Sequence, residues 1–68
     1  MFEMDIKEAY TEFGRLMVEE KIYLDPSLDY GDLCRRHLGV ESYRLDELLL
    51  DELGMTGEEL IAVFRRGR

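Results

Sequence analysis

Apolar side chains recur along this chain at helical intervals, and no stretch alternates with period two for long enough to make a strand. That pattern confines the fold to packed helices. The first stripe is Ile6, Ala9, Tyr10, Phe13, Leu16 and Met17, a run of i, i+3, i+4 and i+7 steps. Lys7, Glu8, Glu12, Arg15 and Glu19 fall mainly between those positions. Asp5, three residues before Glu8, reads as a capping pair, so helix one is expected from about Asp5 to Ile22.

Asp25-Pro26-Ser27 interrupts the pattern, because proline disfavours a helical residue before it. Leu28, Asp29 and Leu33 then supply a hydrophobic staple around an N-cap. Helix two is expected from about Tyr30 to His37 or Leu38, burying Leu33, Cys34 and Leu38 and stopping at Gly39. Helix three follows, with Leu45, Leu48, Leu49 and Leu53 directed inward, and stops at Gly54. Thr56 with Glu59 forms a capping box for helix four, whose apolar side is Leu60, Ile61, Val63 and Phe64. Arg65, Arg66 and Arg68 close that helix, where cations complement its dipole. The expected fold is all-α, a small four-helix domain.

With 68 residues there is room for one domain, 1–68, with a minimal core. Cys34 is the only cysteine, which excludes an intramolecular disulfide. A hydrophobic fraction of 46% is too high for a disordered polyelectrolyte, and a charged fraction of 37% is too high for a membrane span. No basic region followed by an apolar run opens the sequence, so a cytoplasmic setting is expected.

Catalytic chemistry finds little to work with. Cys34 and His37 lie three residues apart, but a Cys–His nucleophile also needs a dry cleft with oxyanion donors. Cys34 sits in an apolar stripe, where a thiol acts as a small buried hydrophobe, and His37 falls at a helix end. The clustered cysteines and histidines of a metal site are absent. The pairs Glu19–Glu20, Asp51–Glu52 and Glu58–Glu59 lack the spacing of a calcium loop, and the glycines match no phosphate loop. Neither an enzyme nor a cofactor is expected. Tyr10 and Tyr23 read as rings covering the core, whereas Tyr43 lies at the exposed start of helix three.

Two short helices around a glycine-containing turn make a helix-turn-helix, a homeodomain-like arrangement whose second helix can enter a DNA major groove. The ordered series Tyr23-Leu24-Asp25-Pro26-Ser27-Leu28-Asp29, Asp32-Leu33-Cys34, Leu38-Gly39-Val40, Leu45, Leu48-Leu49, Glu52-Leu53-Gly54-Met55-Thr56 and Arg65 resembles the first helix-turn-helix of AraC-type transcription regulators. The likeness spans about residues 16 to 66, and the second subdomain of that family has no counterpart here. It implies a DNA-binding regulator, with Ser42, Tyr43, Arg44 and Glu47 as base readers and Arg35 and Arg36 positioned on phosphates. Dimerisation or a larger complex would supply affinity through effective concentration.

Departures from the family pattern are specific. Five steps separate Cys34 from the turn glycine, Gly39, where the family usually has four. Glu47, preceded by Asp46, stands where a basic residue is usual, and Gly57 stands where an aromatic is common. Residues 41–52 set Glu41, Asp46, Glu47, Asp51 and Glu52 against Arg44 alone, within a chain of net charge −7. Phosphates would repel such a helix unless Arg35, Arg36, Arg44 and the C-terminal arginines anchor it. Arg35, Arg36 and Arg44 read equally as surface charges, and Arg65, Arg66 and Arg68 read rather as solubilising and dipole-capping charges. The alternative function is therefore a protein-interaction module in which Asp46, Glu47, Leu50 and Asp51 dock on a basic partner, such as a regulator's DNA-binding face. No membrane or small-molecule partner is indicated.

Overall fold

The computed structural model describes residues 5–67. Four helices make up the fold: α1 (Ile6–Arg15), α2 (Tyr30–Leu33), α3 (Ser42–Leu53) and α4 (Gly57–Gly67). The first two continue into wider π-helical turns, Leu16–Glu20 after α1 and Cys34–Leu38 after α2. No strand occurs among the described residues, so the all-α architecture holds.

Local chemistry accounts for most boundaries. Glu8 accepts a bond from the Asp5 amide at 3.2 Å. At α4 the capping box is closed in both directions, Thr56 N–H donating to Glu59 at 2.8 Å and Glu59 N–H to the Thr56 hydroxyl at 3.2 Å. Gly39 and Gly54 take left-handed conformations that end their helices. Asp29 caps α2, and Leu28 and Leu33 pack against the core as its staple.

The end of the first helix departs from expectation. Helical structure stops at Glu20 rather than Ile22, because Lys21 adopts a left-handed conformation with φ 54°. A 3₁₀ turn, Ile22–Leu24, then folds Ile22 and Tyr23 back onto the core. No glycine marks the site, and a side chain in that region costs about 1–2 kcal/mol. Two apolar assignments also need correction. Leu53 is 48% exposed, since it lies about 40° beyond Leu49 and at the very end of α3. Val63 is 38% exposed, about 160° around α4 from the buried Ile61.

The core joins Ala9, Phe13, Leu16 and Met17 of the first helix to Tyr30, Cys34 and Leu38, to Leu45 and Leu49 of α3, and to Ile61 of α4. Phe13 meets the Tyr30 ring edge-on at 5.7 Å, and Tyr23 meets Phe64 likewise at 5.3 Å. Gly57 is buried directly against Tyr30, and a Cβ at that position would overlap the phenol ring. The opposite condition holds at Gly14, on the exposed side of α1, where a Cβ meets nothing.

Three substitutions separate these effects. Gly57→Ala should destabilise by about 1–3 kcal/mol through overpacking. Gly14→Ala should stabilise by about 0.5–1 kcal/mol through helix propensity, and Lys21→Gly by up to about 1 kcal/mol by relieving the left-handed backbone. Thermal unfolding followed by circular dichroism reads all three. Each kcal/mol is worth roughly 4–8 °C in a domain of this size.

Candidate interaction face on α3

Helical geometry divides α3 into an inner side and an outer side. Leu45 and Leu49 are buried, Ser42 and Leu48 half-buried, and Tyr43, Arg44, Glu47, Leu50 and Asp51 exposed. Tyr43, Glu47, Leu50 and Asp51 are spaced at i, i+4, i+7 and i+8, so they share the outer stripe. Tyr43 is 63% exposed and Leu50 48%. They stand about 10 Å apart along the axis with Glu47 between them. Arg44 flanks the stripe and makes no ion pair among the described residues.

Asp46 does not belong to that face. Its carboxylate turns inward and accepts from the Tyr30 hydroxyl at 2.9 Å and from the Gly57 amide at 2.9 Å. One oxygen thus ties α3 to the start of α2 and to the start of α4. Burial, and then this bond to Asp46, push the Tyr30 hydroxyl well above its ordinary ionisation range. The sequence-level assignment of Asp46 to a docking surface misses this, because its partners lie 16 and 11 residues away.

The arginines do not gather beside α3. Arg35 and Arg36 both return toward Asp32 on their own helix, at 3.8 and 3.1 Å. Arg65 donates from Nε to the Tyr23 carbonyl at 2.8 Å and from a terminal nitrogen to the Asp25 carbonyl at 3.1 Å. It pins the end of α4 to the segment before α2. Arg66 is exposed, and Arg68 lies outside the described residues. His37 is exposed in the last turn after α2, with Nε2 at 3.7 Å from a Glu12 oxygen.

Cys34 is fully buried, and burial raises its thiol pKa. Among the described residues no three His, Cys, Asp or Glu side chains cluster as a metal site requires, and no helix is long and apolar enough to cross a membrane. Neither a protein-family model, a curated protein nor a solved structure matches the chain.

The turn that sets α2 against α4 carries its own titration. Hydrogen bonds from the Ser27 amide and hydroxyl, at 2.9 and 2.8 Å, hold the Asp25 carboxyl below its ordinary 3.8, with a smaller Coulombic pull from Arg65. The folded-state pKa is the lower one, so this stabilisation is complete above the unfolded value and fades as pH falls through the folded value. Ser27→Ala removes the hydroxyl bond and should move the Asp25 pKa upward, as read by carboxyl carbon NMR. An unmoved titration would mean that the turn is not closed in this way.

Proposed function

We propose that this chain is a non-catalytic recognition module that presents the outer face of α3 to a basic protein surface. The observation that carries this reading is the pair Tyr43 and Leu50, both exposed on one stripe, with Glu47 and Asp51 alongside. An aromatic and an aliphatic anchor rimmed by charge is the composition of a protein–protein contact, in which the apolar groups supply affinity. The carboxylates supply steering toward a cationic partner and discriminate against anionic ones. The DNA-binding face of a helix-turn-helix regulator is one surface with that chemistry.

DNA binding in the manner of AraC-type regulators is the second reading, favoured by one observation. Arg35 and Arg36 are exposed, and their ion pairs with a single shared Asp32 lie at the surface, where such pairs are worth about 0–1 kcal/mol. A phosphate could therefore displace Asp32 at little cost. Against it stands α3, whose outer stripe has no cation besides the flanking Arg44 to offset Glu47 and Asp51. Lysine and arginine contacts to phosphate supply most non-specific affinity, and that contribution is weak here.

An amide-shift NMR titration separates the two. A helical peptide of alternating leucine and lysine faces should shift Tyr43, Glu47, Leu50 and Asp51, and weaken as salt rises to about 0.2 M. Leu50→Lys should weaken that binding by roughly tenfold or more without changing the fold, the loss expected of an interface anchor. A mixed-sequence DNA duplex at low salt should leave the spectrum unchanged. Shifts at Arg35, Arg36 and residues 42–47 with the duplex, absent with the peptide, would transfer the assignment to DNA.

A further inference from the structure

Away from the outer face of α3, a groove of about 560 Å³ runs between the segment leading into α2 and one side of α4. Its direction follows from two fixed points. Arg65 holds the carbonyls of Tyr23 and Asp25 at the end of α4, while Tyr30 packs on Gly57 at its start. The segment from Asp25 to Tyr30 therefore runs along α4 in the opposite sense. Leu28, Ile61 and Ala62 line the middle. Asp29 and Glu58 line one end, and Arg65 and Arg66 the other.

The two ends carry opposite charges that the fold leaves largely uncommitted. Glu58 and Arg66 form no ion pair among the described residues. Asp29 spends one oxygen on a long 3.4 Å bond from the Asp32 amide. Arg65 uses Nε and one terminal nitrogen on backbone carbonyls, which orients the guanidinium and leaves its other terminal nitrogen unused. Glu58 and Arg65 stand seven residues apart on α4, about 10 Å along the axis. An extended peptide advances about 3.3 Å per residue, so three residues span the same distance.

The geometry points to this groove as a binding site for a short zwitterionic peptide, about three residues long, with an apolar central side chain. Its ammonium group lies between Asp29 and Glu58, its carboxylate meets Arg65 and Arg66, and its central side chain covers Ile61 and Ala62. A groove of this volume suits a ligand of that size. Its open, solvated charges favour weak, millimolar affinity.

The probe is the tripeptide alanyl-leucyl-alanine, titrated into the full chain and followed by amide NMR. Saturable shifts are expected at Leu28, Tyr30, Ile61 and Ala62. N-acetylation or C-amidation of the peptide should each weaken binding by about fivefold, as loss of one exposed ion pair allows. Arg66→Gln should weaken the free peptide but not the C-amidated form, and Glu58→Gln the free peptide but not the N-acetylated form. Both residues are exposed, so helical circular dichroism should be unchanged in the variants. Equal affinity for the free and doubly blocked peptides would overturn the assignment. So would the absence of saturable shifts up to about 10 mM, a concentration at which even millimolar affinity is visible.

Discussion

The Tyr30 side chain holds three helices in one register. Its ring lies over Gly57 at the start of α4 and meets Phe13 of α1 edge-on. Its hydroxyl reaches Asp46 of α3, whose same oxygen takes the Gly57 amide. A side chain at position 57 would deny the ring its place, and without the ring the carboxylate would lose one of its two donors. Each member requires the others. In a chain with so small a core, one such node bears on how α2, α3 and α4 sit together, because a single ring and a single carboxylate reach all three.

The same node decides what α3 can offer. By turning Asp46 inward it removes one carboxylate from the outer face and fixes the helix's rotation, leaving Tyr43, Glu47, Leu50 and Asp51 outward. Arg35 and Arg36 meanwhile lean toward Asp32, and Arg65 toward backbone carbonyls, so none of the three is added to that face. The face that results is apolar at its two anchors and anionic around them. On the reading proposed above, such a surface takes a cationic protein, and a nucleic acid would have to be bound against its charge.

Much of this fold was legible in the sequence because its determinants are local. The capping box at Thr56 and Glu59, the staple around Asp29, and the glycines that end α2 and α3 act within a few residues. Nothing about a lysine at position 21 signals a left-handed backbone; the residue stands where the chain turns to bring Ile22 and Tyr23 back onto the core. Gly57 was visible as a departure from the resembled family, but the ring that fills the space comes from Tyr30, 27 residues earlier. Asp46 was misplaced for the same reason. The outer stripe of Tyr43, Glu47, Leu50 and Asp51 follows from helical spacing alone once Leu45 and Leu49 are taken as buried.

The measurement that bears most directly on this account is a double-mutant cycle between Tyr30→Phe and Asp46→Ala, read by denaturant unfolding. If the hydroxyl and the carboxylate act as one node, the two losses should fall short of additivity by about 1 kcal/mol, the coupling of a real hydrogen bond. Strict additivity would contradict it, since the two groups would then stabilise the fold independently and nothing would tie the rotation of α3 to Tyr30.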